Sequence, residues 1–288
     1  MFGIVSGHLG SCGHMGRFDG KVALITGAAR GQGRSHAVNL AQQGADIIAV
    51  DICQQIPSAQ HSMGTAEDLT QTVELVEKAG QRIVPVEADV RDYDAVCAAV
   101  ARGTKEFGRL DIVVANAGIM ATTGEPAQQM EAWHASIDTM LSGVYYTLRA
   151  SVTPMIDGGR GGSIVITSST SGLRGVAYSV DMLSPGQMGY GAAKHGVLGL
   201  MRNFAMALGQ YQIRVNAIHP MGVRTPMVVN EYFAGVQGSA PPGWMANVMQ
   251  VGLIEPQDVS DTVLWLCSDE ARYVTGSSIA VDSGQLIL

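Results

Sequence analysis

Most single features that narrow a protein's function are missing from this sequence. Its four cysteines, Cys12, Cys53, Cys97 and Cys267, stand far apart with no C-x-x-C pair. Neither a disulfide framework nor a cysteine zinc site is therefore expected, and a reducing, cytoplasmic setting suits the chain. Basic residues are scarce: 18 Lys and Arg against 25 Asp and Glu leave a net charge of −7. Such a chain offers no basic footprint for nucleic acid or an anionic membrane. No stretch approaches the roughly 18 unbroken apolar residues of a membrane span. The opening MFGIVSGHLGSCGHMGRFDG has no charged leading region, and its glycines break any apolar core, which argues against a signal peptide. The seven histidines show no H-E-x-x-H or other ligand spacing, so no metal is expected, and His134, His195 and His219 read as packing or surface residues.

What is abundant is apolar residues and glycine: 47% of the chain is hydrophobic, and 36 of 288 residues are Gly without a G-X-Y period. A large core and many tight turns follow. Short β-branched runs, at 22–26, 46–52, 82–90, 110–118, 163–169, 213–220 and 278–284, alternate with helical periodicity at 31–43, 66–79, 93–107, 128–155, 189–209 and 256–268. This alternation marks parallel strands joined by crossover helices. Most strand runs are continuously apolar, as when helices cover both faces of a sheet. The expected architecture is a Rossmann-type doubly wound α/β fold with a seven-stranded parallel sheet, in one domain over 18–288 after a loose tail at 1–17. Two segments interrupt the rhythm: 53–64 after the second strand, and 227–254, rich in Met and aromatics. Loops of such length are commonly lids or binding loops.

The first strand runs into Gly27-Ala-Ala-Arg30-Gly31-Gln32-Gly33, where a helical pattern begins. At a strand-to-helix turn, glycines permit positive φ, let a diphosphate approach the backbone and allow close helix packing. The helix N-terminus then holds the phosphates. Asp51 lies 18 residues past Gly33, at the end of the second strand. A carboxylate there accepts from both ribose hydroxyls and repels a 2′-phosphate, favouring NAD over NADP, with Arg30 as the one counter-signal. Tyr190 and Lys194 form the one Y-x-x-x-K among eight tyrosines. On a helix this spacing puts both side chains on one face, where an ammonium can lower the phenol's pKa for proton transfer.

With these motifs the chain resembles the short-chain dehydrogenase/reductases over nearly all of 18–288. The resemblance implies that Gly27, Gly31 and Gly33, with Arg30 and Gln32, form the phosphate loop, and that Asp51 and Ile52 meet the adenosine ribose. It likewise implies that Asp89 and Val90 flank the adenine, that Asn116-Ala117-Gly118 lines the cofactor, and that Pro220, Val223 and Thr225 cradle the nicotinamide. Ser169 would hydrogen-bond the reacting oxygen, Tyr190 act as acid/base, and Lys194 bind the nicotinamide ribose. ITGAARGQGRSHAVNLAQQGADIIAVDIC, the segment after it, ADVRD, GAAKHG and EPQDVSDTVLWLCSDEARYVTG are similar to the mycofactocin-coupled subgroup that includes carveol dehydrogenases. That subgroup retains its nicotinamide cofactor and passes electrons to a peptide-derived carrier. Three departures stand out: Met140 where the family has asparagine, Met221 where it has glycine, and a Ser169–Tyr190 separation of 21 residues, lengthened by 174–188.

The reading that follows is an NAD-dependent oxidoreductase acting on a small apolar secondary alcohol or ketone, terpenoid or alicyclic. Met182, Met188, Met227, Trp244, Met245 and Met249 are pocket candidates as readily as packing residues. Reduction of a 3-oxoacyl thioester, or NAD binding with little catalysis, are the alternatives. A homotetramer is implied by the family, with the 189–209 helix offering Gly196, Val197, Leu198, Gly199, Leu200, Met201 and Phe204 as a contact surface.

Overall fold

The structure, a computed structural model, describes residues 16–288 apart from the side chains of residues 236, 237 and 239. Seven strands form one parallel sheet: β1 (Val22–Thr26), β2 (Asp46–Asp51), β3 (Ile83–Glu87), β4 (Ile112–Ala115), β5 (Gly162–Thr167), β6 (Ile213–Pro220) and β7 (Ser278–Val281). Their order is β3-β2-β1-β4-β5-β6-β7, so the chain winds outward from β1 in one direction and then returns to β4 on its other side. The register pairs Ile25 with Ala49 of β2 and with Val114 of β4. The point of reversal, between the carboxyl ends of β1 and β4, opens a crevice.

Helices α1 (Gly31–Gln42), α2 (Ala66–Lys78), α3 (Tyr93–Phe107), α4 (Met130–Ile137), α5 (Gly143–Gly158), α6 (Pro185–Leu208), α7 (Glu231–Ser239) and α8 (Pro256–Cys267) complete the chain. One core layer packs Leu40, Ala41 and Val263 on the sheet, and the other packs Val144, Leu148, Val197 and Met201 on its opposite face. Every residue of β1 is buried, which is why its sequence, VALIT, is apolar without alternation.

Several expectations need correction. The helix expected over 128–155 is two: α4 and α5 are joined by a π-turn, Asp138–Ser142, a widening that often accompanies function. Five strands end early, and in four of them Ile52, Asp89, Val90, Asn116, Ala117, Gly118 and Ser169 therefore lie in loops beyond their strands. The stretch 227–254 contains α7, whose Gly235 and Gly238 hid its helical signal, while Asn230 caps it by accepting from the Phe233 N–H at 3.0 Å. Helix α6 starts four residues earlier than its periodicity suggested, on Ser184 as cap and Pro185 in the first turn. Its supposed contact surface is partly core, since Val197, Leu198 and Met201 are buried. The tail expected over 1–17 falls mostly outside the described residues; within them Arg17 is ion-paired with Glu270 at 2.5 Å.

Candidate active site

The crevice is built first from β1. Gly27, at φ +70, turns the chain, and a Cβ there would lie 2.9 Å from the Ala117 Cα. A Cβ on Gly33 would collide with the Gly27 carbonyl oxygen, so the helix can pack against the turn only as glycine. The turn is braced from behind: Thr72 Oγ1 donates to the Ala28 and Ala29 carbonyls at 3.0 Å, and Arg34 Nε to Ala29 at 2.9 Å. Helix α1 has no side-chain cap and no acidic residue in its first turn. Its leading N–H groups and dipole therefore suit an anion.

From β2, Asp51 is buried, its carboxylate accepting from the Ala29 N–H at 2.9 Å and the Cys53 N–H at 3.1 Å. From β4, Asn116 staples the sheet ends: its N–H donates to Thr26 Oγ1 and its amide to the Thr26 carbonyl, each at 3.1 Å. Asp89 is ion-paired with Arg91 at 2.6 Å. The segment 53–64 is no solvated insertion. Ile56 and Ala59 are buried in a cluster with Ile119, Ala121, Met140 and Ala193, and His61 Nε2 accepts from the Met120 N–H at 3.2 Å. Arg30 turns toward this segment, Nη1 donating to Ser62 Oγ at 3.0 Å, rather than standing free for a phosphate.

Two cavities meet at Tyr190. One is a groove lined by Gly27, Arg30, Gly31, Gln32, Gly33, Asp51, Ile52, Asp89, Val90, Asn116, Ala117, Gly118, Lys194 and Thr225, together with Ile56, His61 and Met63 of the inserted segment. The other, about 440 Å³, is lined by Ser169, Pro220, Val223 and Met221 and by the Met-rich loops, including Met182, Met227, Trp244 and Met245. Tyr190 lines both. Pro220 and Val223 thus belong to the second cavity rather than to the groove, and neither Met188 nor Met249 lines it.

Ser169 caps a short turn, Thr170–Gly172, its Oγ accepting from the Ser171 N–H at 3.2 Å, and its side chain lies beside Tyr190. Lys194 is buried, donating from Nζ to the Thr167 carbonyl at 2.8 Å, with Nζ 5.9 Å from the Tyr190 ring centre. Burial pushes the Lys194 ammonium down to about 8. Burial also raises the Tyr190 phenol above its ordinary value, against the lowering pull of the Ser169 side chain. The lowered tyrosine pKa expected from the sequence is thus absent in the protein alone. Desolvation sets the direction.

His219, which the sequence presented only as a packing or surface residue, bears on the site. It is buried beneath the site, and its Nδ1–H donates to the Ser169 carbonyl at 2.9 Å, holding the residue whose side chain reaches Tyr190. Its only sequence signal was a histidine at the end of a buried strand. Thr139, in the π-turn, likewise lines the groove with a buried hydroxyl that has no partner among the described residues. Met140 beside it is fully buried.

A parallel sheet with a glycine turn at its reversal point, and a tyrosine, serine and lysine where two cavities join, defines a dinucleotide-dependent oxidoreductase of the doubly wound class. Comparison with known proteins narrows the class. The family model described as "Enoyl-(Acyl carrier protein) reductase" matches residues 27–285. An uncharacterized oxidoreductase of Mycobacterium tuberculosis is 51% identical over 270 residues, 92% of this chain and 96% of the relative. The (−)-trans-carveol dehydrogenase of Rhodococcus erythropolis is 42% identical over 281 residues, 94% and 99% of the two chains. The crystal structure of carveol dehydrogenase from Mycobacterium avium in complex with NAD superposes with a TM-score of 0.87 at 46% identity, covering 95% of this chain and all of that one. The chain belongs to the short-chain dehydrogenase/reductase family.

Proposed function

We propose that this chain transfers a hydride between NAD and a small secondary alcohol or ketone, with Tyr190 as the acid/base. The observation that carries the proposal is the position of Tyr190 at the junction of groove and cavity, beside Ser169 and one helical turn from Lys194. The groove suits NAD. The uncapped α1 N-terminus and the glycines accommodate a diphosphate, and the buried Asp51 carboxylate favours ribose hydroxyls and disfavours a 2′-phosphate. NAD, when bound, supplies the hydride acceptor at its nicotinamide.

Ser169 holds the substrate oxygen by its hydroxyl, and Tyr190 takes the proton from an alcohol or returns it to a ketone. Lys194, titrating near 8, is charged around neutrality and gives up its proton more readily than an exposed lysine, so it can relay the proton Tyr190 receives. A carveol-like alicyclic or terpenoid substrate accords with the relatives' names and with the Met120, Met182 and Met227 walls.

The inserted segment, packed across the adenosine end of the groove beside Asp51, supports slow cofactor exchange and reoxidation by an external carrier of the mycofactocin type. The exposed apolar C-terminus, with Ile287 at 80% and Leu288 at 72% exposure, supports a homotetramer. Among the described residues no helix is long and apolar enough to cross a membrane, which accords with a cytoplasmic protein.

The test offers NAD and a panel of secondary alcohols with and without an artificial electron acceptor, after dialysis. Retained NAD(H) and multiple turnovers only with the acceptor are expected. No reduction of bound NAD by any alcohol overturns the reading, and fast turnover on free NAD removes its carrier component. Light scattering at micromolar concentration reads the oligomeric state; a mass near 30.2 kDa excludes the tetramer.

A further inference from the structure

The walls of the substrate cavity are of two kinds. Met120, Met182, Met227, Phe233 and Met245 give it apolar flanks, while Arg174 and Asp181 are the two charged residues among those lining it. Arg174 comes two residues after the turn that Ser169 caps, its backbone N–H donating to the Thr170 carbonyl at 3.2 Å. Its guanidinium is held as a fork: Nη2 donates to the Trp244 carbonyl at 3.1 Å and Nη1 to the Gln285 carbonyl at 3.3 Å. Trp244 is itself fixed, its indole N–H donating to the Val176 carbonyl at 2.9 Å and its ring meeting Tyr178 edge-on at 5.5 Å.

These carbonyls orient the guanidinium without neutralising it. None of the ion pairs among the described residues includes Arg174, and Asp181 is exposed to solvent, where its field is screened. A guanidinium has five N–H donors. Two are engaged, and Nε is buried without an acceptor. Gln285, 2% exposed in the same wall, also keeps its side-chain oxygen without a partner, and its amide turned over would present a donor instead. A fixed guanidinium plane with three of its five donors unspent, framed by tryptophan and methionine, matches a carboxylate better than any neutral group.

We infer that Arg174 is the anion-recognising residue of the substrate cavity, and that the substrate is a secondary alcohol or ketone carrying a carboxylate at the end remote from the reacting carbon. The inference rests on the reading of this cavity as the alcohol and ketone site. Each part of the cavity then has its own role. Ser169 and Tyr190 take the reacting oxygen, the methionines the hydrocarbon between, and Arg174 the far end.

The experiment measures binding, so that it does not depend on hydride transfer. With the protein saturated in NAD, titration calorimetry compares cyclohexanecarboxylate with cyclohexanecarboxamide, which has the same shape without the charge. The carboxylate is expected to bind at least about tenfold tighter, and Arg174→Gln to weaken it about 30-fold while shifting the amide less than about threefold. Arg174→Lys, which keeps the charge and loses the fork, is expected to fall between. Added salt is expected to weaken the carboxylate and spare the amide in the unmutated protein, a readout independent of any variant's folding. A carboxylate no tighter than the amide, or no salt dependence, overturns the inference. Oxidation of cyclohexanol by the same preparations tests the hydride-transfer reading separately: its failure with the discrimination intact leaves Arg174 in place, and its success without discrimination removes Arg174 alone.

Discussion

The groove and the cavity that meet at Tyr190 are built in different ways. The groove is made of strand ends: Gly27 after β1, Asp51 at the end of β2 and Asn116 after β4, the last two hydrogen-bonded to backbone of the turn or of a neighbouring strand. The cavity meets the sheet only at ends such as Ser169 and Pro220 and takes most of its wall from outside it: the 174–188 segment, the 227–254 stretch with α7, and Gln285 near the C-terminus. A dinucleotide site therefore comes with the fold, whereas a substrate site depends on which loops are appended to it.

The largest expected effect separates the two. Tyr190→Phe removes the proton relay at the junction, and turnover is expected to fall about 10²- to 10⁴-fold for every substrate with NAD still bound. Trp244→Ala, in the cavity wall, is expected to change KM differently from one alcohol to the next and to leave cofactor affinity alone. Steady-state kinetics over a substrate panel read both. A Trp244→Ala variant as uniformly inactive as Tyr190→Phe breaks the division of labour.

The same contrast explains how far the sequence could be read. Strand order, the glycine turn, Asp51 and the Tyr190–Lys194 pair were legible because each depends on local chemistry: an apolar run, a positive φ, a carboxylate at a strand end, a helical spacing. Residues joined by long-range contacts left no such trace. Nothing in sequence puts His219 under Ser169, 50 residues away, or Arg174 against Trp244, 70 residues away. The π-turn at Asp138–Ser142 was hidden for another reason, since one wide turn barely disturbs the apolar period of a long helix. The raised Tyr190 pKa was missed because the sequence shows a neighbouring charge but not the burial that raises the phenol.

Met140 sharpens the comparison from inside the groove. The family resemblance puts an asparagine at this position, and on that ground alone Met140→Asn would be expected to keep or raise activity. Its surroundings are Ile119, Ala135 and Ala193, all buried, so an amide there meets apolar side chains. An unsatisfied buried polar group costs about 1–3 kcal/mol. A lower melting temperature without a rate gain per folded molecule is now expected. A rise in rate with unchanged stability would show that the π-turn already holds a place for the amide.

Acid should loosen the packing of α1 against α8. His36, on α1, is fully buried, with Nδ1 2.8 Å from Ser260 Oγ of α8, and burial pushes its pKa down to about 3 from an unfolded value near 6.5. The folded protein binds fewer protons than the unfolded chain between those values, so this contribution is intact above about 6.5 and shrinks as pH falls toward 3. At pH 5 the loss is at most about 2 kcal/mol. His36→Gln is expected to flatten the fall in melting temperature between neutral pH and pH 5. Equal slopes would place the acid sensitivity elsewhere.

The smallest expected effect concerns the loop after β2 that intrudes on the groove. Segment 53–64 leaves β2 beside Asp51, with Cys53 in the left-handed region at φ +51, and lays Ile56 and Ala59 against Ile119 and Ala121 beyond β4. Arg30 Nη1 to Ser62 Oγ and the Met120 N–H to His61 Nε2 pin it at both rims. A cofactor beneath such a bridge leaves only when the bridge opens, and breaking those contacts adds to the barrier. Replacing 53–64 by a short Gly/Ser turn is expected to speed NADH release about tenfold, equivalent to about 1.4 kcal/mol, read by the loss of NADH fluorescence on dilution into excess NAD. His61→Ala, which removes only the bond to Met120, is expected to give part of that acceleration. Equal release rates in all three proteins would make the bridge a packing element only, and cofactor exchange would then depend on the strand ends alone.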